Sequence, residues 1–198
     1  MRSLQVLTPH MECIYNCPFC ISKTHEHDNT FYNNYENDYI LWMNNLVNVI
    51  LENPDLGYVV ITGTNEPMQS PYCVKNIINI VRSVNPNIQI EIQTHYYQQN
   101  EIFDMLDVVA YSVPYFNLLK HIKPMGKIQR YVLVLTDSFN NYSLNDILKN
   151  IPDTVSQVTL KCLNVGNGFN KDVEDYILNH SIDNETLIRL KEEIKLYD

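Results

Sequence analysis

The chain has 198 residues, 45% of them hydrophobic, and its 14 basic against 23 acidic side chains give a net charge of −9. That length fits one domain with a substantial core, and the acidic balance disfavours partners bound by neutralising many phosphates, so no extended nucleic-acid binding is expected. No stretch approaches the roughly 20 apolar residues of a membrane span, and Met1 to Val6 lack the apolar run of a secretion signal, so a cytoplasmic protein with no membrane partner is expected. The first predicted element is a strand over Leu4-Gln5-Val6-Leu7-Thr8, apolar and partly alternating.

Three of the chain's five cysteines follow that strand, in Met11-Glu12-Cys13-Ile14-Tyr15-Asn16-Cys17-Pro18-Phe19-Cys20. Thiols this close make a strained framework for disulfides, and without a secretion signal the better reading is ligation of a metal or cluster. An iron–sulfur cube saturated by four cysteines has no iron left for chemistry, whereas one held by three keeps an open iron, much as a catalytic zinc site keeps an open position. The spacing C-x3-C-x2-C, with Phe19 directly before the last cysteine, resembles the cluster motif of the radical S-adenosylmethionine (radical SAM) superfamily. The resemblance implies that Cys13, Cys17 and Cys20 hold a [4Fe–4S] cluster whose fourth iron chelates the amino and carboxylate groups of S-adenosylmethionine. It also implies reductive cleavage of that cofactor to methionine and a 5′-deoxyadenosyl radical that abstracts hydrogen from a substrate. On the residues alone, the same cysteines with His25 or His27 would make a Cys3His zinc site, the mark of a non-catalytic binding module.

A polar segment from Ser22 to Asn34 follows, long for a compact domain and read as a functional lid or a partly disordered loop. Ile40, Trp42, Met43, Leu46, Val47, Ile50 and Leu51 recur at helical spacing until Asn53-Pro54. Tyr58-Val59-Val60-Ile61 is a continuous apolar run, the pattern of a parallel strand buried on both faces. It leads into Thr62-Gly63-Thr64-Asn65-Glu66-Pro67, which resembles the G-x-G-E-P form of the radical SAM turn with Asn65 in place of the second glycine. The resemblance assigns Gly63, Thr64, Asn65 and Glu66 to the amino group of the cofactor, an ammonium to which a loop of acceptors and a carboxylate are suited.

Tyr72 to Val84 is the second predicted helix and Ile88 to Thr94 a cleanly alternating third strand. Thr94 and His95 fall where relatives carry a Thr-Asn-Gly turn near the cofactor. A short helix around Ile102 to Leu106 precedes a fourth strand over Leu106 to Ser112, and Ser112 matches a position that touches the cofactor's ribose or carboxylate in relatives. Lys120, His121 and Lys123 form a small basic cluster read as solvated surface. A fifth strand spans Arg130 to Leu135, Ser143-x-x-Asp146 reads as a capping box, and a sixth strand covers Val155 to Val165 before Gly166-Asn167-Gly168. Helices over Asp172 to Asn179 and Glu185 to Leu196 complete the chain.

Six alternations of strand and helix predict parallel pairing and match the partial (βα)6 barrel of the radical SAM family, in a single domain with a core over about 4–166 and a helical tail over about 171–198. The resemblance implies a low-potential reductant such as a flavodoxin or ferredoxin, and an open-sided barrel suits a large substrate; whether that is a protein, a peptide or a nucleotide the residues leave open. The glycyl-radical activating enzymes and the 7-carboxy-7-deazaguanine synthases are similar in size. Both usually carry a glycine-containing segment well upstream of the cysteines, which only about twelve residues precede here, and the more general assignment is therefore adopted.

Overall fold

The strands pair in parallel and in chain order, making one six-stranded sheet. They are β1 (Arg2–Thr8), β2 (Leu56–Gly63), β3 (Gln89–Thr94), β4 (Val108–Val113), β5 (Ile128–Leu135) and β6 (Gln157–Cys162). The helices are α1 (Tyr35–Glu52), α2 (Pro71–Val84), α3 (Leu144–Leu148), α4 (Lys171–His180) and α5 (Asn184–Ile194). This computed structural model describes residues 2–8, 13–20, 23, 35–63, 65–165 and 170–196, with residues 35–37 described by backbone only. Thr64, His25, His27 and the Gly166-Asn167-Gly168 turn lie outside the described residues. Among the described residues no helix is long and apolar enough to cross a membrane.

Successive strand side chains point to opposite faces, and the two faces of this sheet differ in chemistry. One carries Val6, Val59, Ile61, Ile90, Ile92, Val109, Tyr111, Tyr131 and Leu133, which join Met43, Leu46 and Ile50 of α1 and Val74, Ile77 and Val81 of α2 in the core. The other carries Tyr58, Glu91, Gln93, Ser112, Arg130 and Lys161 by the same registers, with buried Val60, Val108, Ala110 and Val134 among them. β2 is buried on both faces as expected: Val59 and Ile61 are fully buried on one, and Val60 is 9% exposed on the other. Across that second face the Tyr58 hydroxyl donates to Glu91 Oε2 at 2.6 Å.

Glu91 is only 1% exposed and is held by Arg130 Nη1 at 2.8 Å and by the Gln93 amide, which donates to Glu91 Oε1 at 3.0 Å. A carboxylate this deep needs such partners, because an isolated buried charge costs several kcal/mol.

One correction concerns the connections. After β3 the expected helix is a 3₁₀ segment, Glu101–Met105, started by the Asn100 side chain accepting the Ile102 N–H. After β4 comes another, Phe116–His121, bounded by Pro114 and by Pro124-Met125-Gly126, where Gly126 adopts φ +95°. Around Phe116–His121, prolines and a left-handed glycine end helical growth before a full α-helix forms. The capping box forms as expected, Ser143 and Asp146 exchanging hydrogen bonds at the start of α3. The tail returns to the sheet edge where β5 ends, through Ile182 N–H to the Leu135 carbonyl at 3.1 Å and a bridge between Thr136 and Ser181.

Candidate functional site

Parallel pairing puts all the strand carboxyl ends along one edge, and at that edge lies a cleft of about 370 Å³. The segment after β1 reaches it through two consecutive turns. Asn16 N–H donates to the Cys13 carbonyl and Cys20 N–H to the Cys17 carbonyl, at 3.3 and 3.1 Å. Between them Asn16 sits at φ +42°, a left-handed geometry that asparagine tolerates better than most residues. Each of the three cysteines thus starts or ends a turn. The loop is tied down where Ile14 N–H donates to Gln69 Oε1 at 3.2 Å and the Lys23 ammonium to the Asn16 carbonyl at 3.1 Å.

The cleft is lined by Cys13, Cys17, Phe19, Cys20, Gly63, Asn65, Glu66, Thr94, His95 and Ser112. Every described position singled out from the sequence for metal or cofactor is thus on one wall or another of it. Among the described residues no group of three or more His, Cys, Asp or Glu side chains is placed to hold a metal ion, and no two of the five cysteines are joined in a disulfide. Burial, and then the neighbouring Cys20 and Cys13, push the Cys17 thiol up to about 11. Cys13, Cys17 and Cys20 line one open cleft, and three thiolate donors fit, in chemistry and number, a cluster that keeps one iron free.

Glu66 organises the rest. Its Oε1 accepts the Met68 N–H at 2.9 Å and the Thr94 hydroxyl at 2.5 Å, while Oε2 accepts the His95 N–H at 2.7 Å. Burial raises its pKa, against those three hydrogen bonds. A carboxylate has about four acceptor positions, so most of its capacity clamps the turn after β2 to the end of β3. Gly63 is required by space, since a Cβ there would stand 2.7 Å from both Thr8 Oγ1 and Asn65 Oδ1. Thr8, 2% exposed, also donates to the Thr62 carbonyl at 3.3 Å.

His95 stacks on Tyr15 at 4.6 Å and leans on Tyr97 at 5.0 Å, with Nδ1 3.9 Å from Cys17 Sγ. Burial alone lowers its pKa to about 4, leaving the imidazole neutral at pH 7. Burial, and then the Glu66 charge, push the Tyr15 phenol up to about 12.

The cleft also takes residues the sequence reading passed over, including Tyr15, Gln93, Lys161 and Cys162. The alternation of Gln89, Glu91 and Gln93 in β3 is the signal that was available for Gln93, because a polar strand face can front a cleft as well as solvent. Cys73 is buried in the core, and Lys120, His121 and Lys123 lie outside the cleft. A scan against protein-family models finds no match to this chain, and a search of the curated proteins finds none either.

Proposed function

We propose that this chain is a minimal radical SAM enzyme, with Cys13, Cys17 and Cys20 holding a [4Fe–4S] cluster and the turn after β2 receiving S-adenosylmethionine. One observation carries the reading: the cysteine loop and Gly63, Asn65 and Glu66, about fifty residues apart, open onto the same cleft. Bound there, cluster and cofactor supply a one-electron reductive cleavage that yields methionine and a 5′-deoxyadenosyl radical.

The protein's own part is binding and positioning. The three thiols ligate; Glu66 holds the turn in place and offers its remaining acceptor capacity to an ammonium. Phe19, 6.1 Å from Tyr176, walls the side nearest α4. Thr94 is spent on Glu66 and on the Tyr96 N–H at 2.9 Å, so it positions the turn. The Ser112 carbonyl accepts the Tyr97 hydroxyl, which fixes the rim at β4.

The partial barrel is part of the same proposal. In a flat sheet β2 and β6 would stand about 19 Å apart, four spacings of about 4.8 Å. Thr62 and Lys161, from those two strands, nevertheless line one cleft of about 370 Å³, which supports a sheet curled around its polar face. The reductant would be a low-potential protein such as a flavodoxin or ferredoxin, and the setting the cytoplasm.

Protein reconstituted with iron and sulfide without oxygen should be brown, and when reduced with dithionite should release 5′-deoxyadenosine from S-adenosylmethionine. Cys17→Ala should abolish that release. A colourless protein with tightly bound zinc would defeat the reading. It would favour the second one, a closed Cys3His zinc site with His95 as the fourth ligand, for which the 3.9 Å approach of Nδ1 to Cys17 Sγ speaks.

A further inference from the structure

We propose that His95 sets the reduction potential of the metal centre by donating a hydrogen bond from Nδ1–H to the sulfur of Cys17. The proposal rests on the reading of Cys13, Cys17 and Cys20 as cluster ligands. Nδ1 stands 3.9 Å from Cys17 Sγ, near the reach of a hydrogen bond to sulfur. The ring is fixed in that direction rather than merely near it. Its backbone N–H is anchored on Glu66 Oε2 at 2.7 Å. The imidazole is stacked on Tyr15 with 25° between planes and tilted by 34° against Tyr97. Tyr97 is itself held by its hydroxyl on the Ser112 carbonyl.

A low-potential donor gives one electron to a [4Fe–4S] centre of charge 2+, leaving it 1+; no bond breaks and no proton need move. The added charge spreads onto the ligand sulfurs, so an N–H aimed at one of them stabilises the reduced form more than the oxidised form. Removal of water from around the pair strengthens the effect. His95 thereby acts through Cys17 as a positioning residue, easing entry of the electron that begins the reaction.

The test is an EPR-monitored redox titration of the reconstituted protein. His95→Phe keeps an aromatic ring between the tyrosines and deletes the donor. It should lower the reduced-to-oxidised ratio at a fixed potential by about tenfold, which is about 59 mV for one electron. His95→Gln, with an amide donor, should recover part of that ratio. If His95→Phe fails to load, ¹⁴N and exchangeable-proton couplings in the reduced wild-type protein decide. A weak nitrogen coupling with an exchangeable proton near sulfur supports the proposal. An unchanged potential in His95→Phe with an intact cluster would overturn it, and so would the strong coupling of a directly bound nitrogen. Wild-type protein that binds no cluster would overturn the underlying reading as well, and is told apart by its lack of colour before any titration.

Discussion

Replacing Glu66 by glutamine separates the clamp from the charge. The carboxylate serves three donors with two oxygens: Met68 N–H and Thr94 hydroxyl on one, His95 N–H on the other. An amide has a single acceptor oxygen. Turned one way, its NH2 faces the His95 N–H; turned the other, it faces the Met68 N–H, while the Thr94 hydroxyl can rotate to accept. In both orientations one buried backbone donor loses its partner, at a cost of about 1–3 kcal/mol. The neutral amide recovers some desolvation, since burial is the largest influence on Glu66, so the net loss expected for Glu66→Gln lies near the lower half of that range. Glu66→Ala strands all three donors and leaves a void, for about 3–5 kcal/mol. Urea unfolding of the reduced, metal-free protein at pH 7 measures both, with the slope of the transition unchanged. A Glu66→Gln midpoint equal to or above wild type would refute the claim that these hydrogen bonds hold the turn.

Three further outcomes are expected. Gly63→Ala forces a Cβ to 2.7 Å from two side-chain oxygens and 2.9 Å from the Asn65 carbonyl, so it should cost about 1–3 kcal/mol in the same unfolding assay; a neutral effect would mean the turn has room to yield. Arg130→Met strips the guanidinium from a Glu91 carboxylate that is 1% exposed and should cost about 3–5 kcal/mol, most of it restored by adding Glu91→Leu. For His95, burial drops the pKa from 6.5 to about 4, so the folded metal-free protein binds fewer protons than the unfolded chain between those values. Its contribution is complete above pH 6.5 and lost as pH falls toward 4, up to about 3 kcal/mol, and His95→Phe should flatten that part of the stability-against-pH curve.

Local pattern alone was enough for the order of elements, because apolar periodicity and the breakers Asn53-Pro54 and Asn85-Pro86 act within a few residues. Ser143 and Asp146 likewise meet within one helical turn, so their capping box was readable. The cysteine triplet and the Gly63-to-Glu66 turn were visible as spacings, and their common cleft followed from parallel pairing once each was placed at the end of a strand. The 3₁₀ connections after β3 and β4 were less legible, since short apolar runs such as Ile102 to Leu106 fit either kind of helix.

Chain folding had to bring distant residues together before the remaining features existed. Nothing near Tyr58 in sequence marks it as facing Glu91, nor Glu91 as facing Arg130; their contact depends on register across four strands, β2 to β5. His95 meets Cys17 only because β3 ends beside the cysteine loop, seventy-eight positions away along the chain. Glu66 reads as a ligand for a cofactor until its neighbours are in place, and then most of its acceptor capacity is already taken by groups of the protein itself. Hydrogen bonds and ion pairs of this kind are satisfied by geometry rather than by neighbours in sequence, which is why the backbone pattern was legible early and the polar interior was not.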